Sequence, residues 1–123
     1  MLTRDQVLRA VYHCQHHSTD GTARTSDLAQ RLRVTGPSVT ARVQELAAAG
    51  VVHYAPRQGA TLTEEGERRA RQSLEKLRQI ERFLGIVLGL SPEVSEVEAE
   101  HLLRHIRPIV MDAIDKHVGP IPP

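Results

Sequence analysis

The sequence predicts a mainly α chain: a small helical head interrupted by one hairpin, then a longer run of helices. Three observations carry this expectation. Apolar residues recur at three- and four-residue spacing through most of the 123 residues. Only the short runs Val51-Val52-His53-Tyr54 and Ala60-Thr61-Leu62-Thr63 read as strands. Helix-start residues stand ahead of the periodic segments, and Gly50 and Gly119 stand where two of them stop.

The first helix is expected from Asp5 to about His16, with Val7, Leu8, Val11 and Tyr12 on its apolar face. Thr3 and Gln6 have the spacing of a capping box. Gln15 to Gly21 is expected as a loop. A second helix starts at Thr25 or Ser26 and buries Leu28, Ala29 and Leu32, with Val34 in the following turn. The third begins near Gly36-Pro37, since a proline loses nothing in the first helical turn. Thr35 is its cap, and Val39, Val43 and Leu46 point inward. Ser38, Thr40, Ala41, Arg42 and Gln44 are left largely outside. Ala55 to Gly59 forms the hairpin tip, with Arg57 at its centre.

Thr63 then caps a long helix whose first turn carries Glu64, Glu65 and Glu67, which suit the positive end of the helix dipole. Its inward residues are Ala70, Leu74, Leu77, Ile80, Leu84 and Ile86 or Val87. Ser91-Pro92 opens another helix, with Val94, Val97, Leu102 and Ile106 expected inside. A last helix restarts at Pro108 and carries Val110, Ile114 and Val118. The order is three helices, a two-stranded wing and three more helices: a winged helix-turn-helix head over residues 1–63 and a helical dimerisation region over 64–123.

Composition narrows the function classes. Net charge is only +1, but residues 1–60 carry seven arginines against four acids. A mildly basic head suits double-stranded DNA. The sole aromatics of the phenyl type are Tyr12, Tyr54 and Phe83, too few for a base-stacking surface. One cysteine, Cys14, excludes an intrachain disulfide, and a cytoplasmic setting without membrane insertion is expected. No Gly-rich phosphate loop and no nucleophile elbow is present, so no enzyme is expected.

A helix-turn-helix places its second helix in the major groove. Short polar residues suit the start of that helix, and long bidentate ones suit positions further along. Ser38 and Thr40 fit the first role and Arg42 and Gln44 the second, with Thr35 and Pro37 as further contacts at the helix start, where the Thr35 or Ser38 hydroxyl can hold a phosphate; Arg57 suits backbone or minor groove. One head offers little groove surface, so a homodimer on a palindromic operator is expected, paired through the tail helices.

Several motifs together resemble the iron- and manganese-dependent repressor family, the DtxR/MntR type. They are Ser26-Asp27-Leu28-Ala29, Gly36-Pro37-Ser38-Val39-Thr40, Gly50-Val51-Val52, Leu62-Thr63 with Gly66, Glu81 through Leu84, Gly89-Leu90 and Glu98-Ala99. The resemblance covers about Gln6 to Gly119 and implies a dimeric operator-binding repressor with metal sites in the tail. Its length is similar to the shorter manganese type, without an SH3-like domain. At the ligand positions the resemblance implies, Gln6, Arg9, Leu77, Leu103 and Arg104 stand in place of donors, whereas Glu81 and Glu100 remain. Two guanidinium groups would repel a divalent ion, so the usual site is expected to be altered or lost.

A non-standard site for manganese, iron or zinc is built from Glu98, His101 and His105, at i, i+3 and i+7 on one helix face, with Glu81 and Glu100 as further candidates. The bland alternative is a solvated helix face. The Tyr12 to His17 segment offers a second cluster, with Cys14 as either a thiol sensor or a half-buried structural residue. A regulator answering a small molecule, pH or a protein partner, independent of metal, is the competing expectation.

Overall fold

Thr3 starts the first helix of the computed structural model, which describes Leu2 to Pro123. Its hydroxyl accepts from Gln6 N at 3.1 Å, and Gln6 Oε1 accepts from Thr3 N at 2.9 Å. That reciprocal pair satisfies two of the orphan donors at the start of α1 (Arg4–His17). The helix runs beyond the expected loop boundary: Gln15, His16 and His17 are all helical. Gln15 Oε1 accepts from Leu62 N at 2.8 Å, which ties this last turn to the hairpin.

The second helix, α2 (Thr25–Leu32), ends at Arg33, which adopts the left-handed conformation at φ 55°. The next helix, α3 (Gly36–Ala48), is capped by the Thr35 hydroxyl, which accepts from Ser38 N at 3.4 Å, with proline in the first turn. Val7, Val11, Leu28, Val39, Val43 and Val51 lose essentially all solvent contact in one apolar core. Each such side chain contributes about 1.5–3 kcal/mol when fully buried.

Strands β1 (Val52–Ala55) and β2 (Gly59–Leu62) pair antiparallel, with Val52 opposite Leu62 and Ala55 opposite Gly59. Val51 and Thr63, expected in the strands, form the joint to the next helix instead. Thr63 N donates to the Val51 carbonyl at 3.1 Å, and Thr63 Oγ1 donates to the Gly50 carbonyl at 2.8 Å. The same Oγ1 accepts from Gly66 N at 3.0 Å, capping α4 (Glu64–Ile86). A Cβ on Gly66 would lie 1.8 Å from the Val51 oxygen, so only glycine lets the helix start here. Ala23 adds a third, one-residue rung to the wing through two 2.8 Å backbone bonds with Ala60.

The chain divides into two compact units, one ending at Arg71 and the other running from Gln72 to Pro123. The boundary falls inside α4. In the second unit, Ile80 and Leu84 of α4 share a core with Ala99 of α5 (Pro92–Leu103) and with Met111 and Ile114 of α6 (Pro108–Val118). Gln79 Nε2 donates to Asp115 Oδ1 and to the Gly119 carbonyl, at 3.2 and 2.9 Å. Arg82 donates to the carbonyls of Val118, Gly119 and Pro120, placing a cation at the negative end of α6.

Several expectations about inward faces fail in this unit. Val94, Val97 and Leu102 on α5 are exposed, because the helix instead buries Ser95 and Ala99. The small residues permit a close helix approach, and the larger apolar ones are left facing outward. Ile86 and Val87 at the end of α4 are exposed as well, and so is Val110 on α6, whose buried residues are Met111 and Ile114.

Candidate nucleic-acid interface

The buried residues Val39, Val43 and Leu46 fix the rotation of α3. At about 100° per residue, the side opposite them carries Pro37, Ala41, Gln44 and Ala48. All four are exposed, as are Thr35 and Ser38 at the helix start. The Thr35 and Ser38 hydroxyls share a 2.9 Å hydrogen bond. Thr40 is half-buried on the flank.

Arg42 departs from the outward placement expected of it. It is half-buried, with Nε donating to the Leu2 carbonyl at 3.4 Å and a terminal nitrogen donating to Glu45 Oε1 at 2.5 Å. Arg4 meets the other oxygen of the same carboxylate at 3.0 Å. This network joins the start of α1 to the middle of α3. Arg57 stands exposed at the wing tip with φ 68°, and the turn closes through Gln58 N donating to the Ala55 carbonyl at 3.1 Å.

Two exposed positions escaped the sequence reading as site residues. Ala41 is central on the outer face and exposed, yet its residue type carries no binding signal of its own. Fixing the helix rotation from Val39, Val43 and Leu46 would have singled it out. Arg33 occupies the α2–α3 turn in left-handed geometry, for which its sequence carries no glycine or asparagine signal.

The metal candidates are spread through the second unit. Glu81 is half-buried on α4, and its carboxyl is pushed above the ordinary range by burial and then by the charges of Glu96 and Glu100. Glu98 and His101 are exposed on α5. His105 does not continue their face, contrary to the i, i+3, i+7 expectation. The helix ends at Leu103, and His105 lies in the following turn, its N–H donating to the Leu102 carbonyl at 2.9 Å.

Among the described residues, no group of three or more His, Cys, Asp or Glu is arranged to hold a metal ion. The chemistry of the positions implied by resemblance agrees. Gln6 is committed to the α1 capping box. Leu77 and Leu103 pack against the second core and have no lone pair to offer. Arg9 is only 6% exposed on α1, and Arg104 follows the last residue of α5; neither guanidinium coordinates a cation. These residues do not fit a divalent ion.

The α1 histidines are absorbed into local packing. His13 and His17 stack at 4.1 Å, and Tyr12 meets His16 at 4.3 Å. His16 Nε2 lies 3.7 Å from Glu67 Oε1. Burial, then Arg31 and His17, lowers the His13 pKa and favours the neutral ring. Burial raises the Cys14 pKa, with Arg31 opposing and Asp27 reinforcing, so the group is held as thiol rather than reactive thiolate.

Three helices around one core, with the last capped ahead of a paired hairpin, define a protein of the winged helix-turn-helix class. A helical second unit with uncovered apolar faces follows it. The family model described as iron dependent repressor, N-terminal DNA binding domain, matches residues 1–60. The companion model, iron dependent repressor, metal binding and dimerisation domain, matches residues 63–121. The chain belongs to the iron dependent repressor family.

Among relatives, the transcriptional regulator MntR of Escherichia coli is 40% identical over 93 residues, or 76% of this chain and 59% of that protein. A manganese-dependent transcriptional repressor, solved in complex with manganese, superposes with a TM-score of 0.84 at 28% identity. That match covers 95% of this chain and 53% of the other. IdeR of T. acidophilum shares the fold at a TM-score of 0.82 and 22% identity, over 98% of this chain and 55% of its own. The chain thus spans little more than half the length of these three proteins.

Proposed function

We propose that this protein is a dimeric, DNA-binding transcriptional regulator of the iron- or manganese-dependent repressor type, with an altered or lost metal site. The supporting observation is the exposed face of α3, flanked by a wing that presents Arg57. The Thr35 and Ser38 hydroxyls at the start of α3 would hold phosphate, where helix termini favour anions. Pro37, Thr40 and Gln44 would lie along the groove and Arg57 on backbone or minor groove. Arg42 would position α3 through Glu45. The region after the wing would pair two copies through its exposed apolar residues, giving the two-fold arrangement that a palindromic operator needs.

The test is selection of duplexes from a random pool by the full chain, followed by fluorescence anisotropy on the enriched duplex. Specific binding that weakens steeply as salt rises supports the reading. Equal, weak affinity for every duplex sinks it.

One observation favours a second reading, in which the regulator works without metal: the positions that should donate to an ion hold leucines and guanidinium groups. Anisotropy with a chelator, and then with added manganese, iron(II) or zinc, separates the two. Binding that is unchanged by all of them favours a small molecule, pH, a protein partner or no effector at all.

A further inference from the structure

We propose that α3 reads A·T base pairs, with the Ala41 methyl group against thymine and the Gln44 carboxamide on adenine, and that it carries no arginine for guanine. The inference rests on the reading of α3 as the groove helix and specifies which bases it takes.

The head is arginine-rich, yet none of its seven arginines stands on the outer face of α3. Arg4 and Arg42 both close on Glu45. Arg24 is paired with Asp20 at 3.1 Å, and Arg9 is buried in α1. Arg31 and Arg33 belong to the end of α2 and the turn after it, and Arg57 to the wing tip. The exposed cations of the head thus lie off the outer face of α3, where they would meet phosphates and fix register without reading sequence.

The chemistry left at the centre is different. Ala41 sits one turn from Pro37, Ser38, Gln44 and Glu45, the neighbours that share a helix face. Its side chain is a single exposed methyl, short enough for the helix backbone to approach base edges closely. In the major groove only thymine presents a methyl to match it, whereas guanine calls for a bidentate cation. Gln44 is exposed and is the one side chain of this face whose amide donates and accepts at once, as adenine N6 and N7 require. Glu45, the other long residue nearby, is held by its two arginines. Exposed alanines are ordinary on surface helices. The absence of any cation from the middle of this face, in a head so rich in them, is what points to a methyl contact.

The experiment uses the full chain and the duplexes enriched from a random pool. Each thymine of the half-site is replaced in turn by deoxyuridine, which keeps the base pair and removes the methyl. The expected result is enrichment of A·T pairs at the half-site core and a loss of about 4-fold in affinity at the position facing Ala41, the worth of one buried methyl. Ala41→Gly abolishes that deoxyuridine penalty, and Gln44→Ala loses discrimination at one adenine; circular dichroism confirms that both variants are folded. Enriched guanine at the core, or deoxyuridine duplexes that bind like thymine ones, overturns the inference while leaving DNA binding intact. A·T enrichment without any methyl penalty assigns the preference to groove shape and also overturns it. No enrichment at all removes both this inference and the regulator reading.

Discussion

Single atoms decide several properties of this protein. At Gly66, the 1.8 Å clearance to the Val51 oxygen leaves no room for a side chain. Gly66→Ala is expected to destabilise the first unit by about 2–4 kcal/mol, read from the urea midpoint, because backbone must move on both sides. Ser95 is the opposite case. Among the described residues its buried hydroxyl is the side-chain oxygen left without a partner. Ser95→Ala should stabilise the second unit by up to about 1 kcal/mol in the same measurement, since the lost group makes no compensating bond. Glu81 titrates above the usual carboxylate range because of burial, Glu96 and Glu100. A raised folded-state value means that its stabilising contribution is present in acid and is lost as pH rises through it. Glu81→Gln is therefore expected to raise the thermal midpoint near pH 7 and to do nothing below about pH 4, with a gain under about 1 kcal/mol because the group is partly solvated. An equal gain at both pH values would contradict the repulsion.

At the scale of elements, α5 shows why apolar periodicity does not by itself say which face is inside. Val94, Val97 and Leu102 have helical spacing, which by itself predicts them as core. The helix packs through Ser95 and Ala99 instead, leaving Val97 56% exposed. Together with Ile86, Val87, Leu88, Leu90, Val110 and Ile109, the last 78% exposed, these residues are the exposed large apolar side chains of the second unit. If they pair two copies, Val97→Asp should shift the protein from dimer to monomer in sedimentation velocity, and operator affinity should drop by at least about tenfold through loss of the second head. A Val97→Asp protein that remains dimeric moves the interface elsewhere. The head elements were more legible. The Thr3–Gln6 box, the Thr35 cap and the Thr63 cap on Gly66 all rest on neighbours within a few residues, and each forms as its spacing suggests. The end of α1 was misplaced because its deciding partner, the Leu62 N–H, lies in the hairpin.

For the molecule as a whole, the family's sensing chemistry and its scaffold have separated. Both units match the family, but the implied ligand positions carry a capping glutamine, core leucines and arginines. The thermal midpoint is accordingly expected to shift by less than about 1 °C on adding millimolar manganese, whereas an ion present at a hundred times its Kd would contribute about 2.7 kcal/mol. A shift of several degrees would restore a metal role. The His101 and His105 pair would not supply it, since the helix that was to align them ends between the two.

The sequence by itself determined where helices begin, which residues fill the first core and which turn carries the wing arginine. Those features depend on capping groups and on periodicity within a few residues, so they can be read locally. The tertiary structure alone decided that Arg42 reaches back to the Leu2 carbonyl, and that Ala23 joins the wing. It alone decided that α5 hides its small residues rather than its large ones. Each of these outcomes turns on a partner far away in the chain, and no local pattern specifies which of several possible partners a side chain will meet.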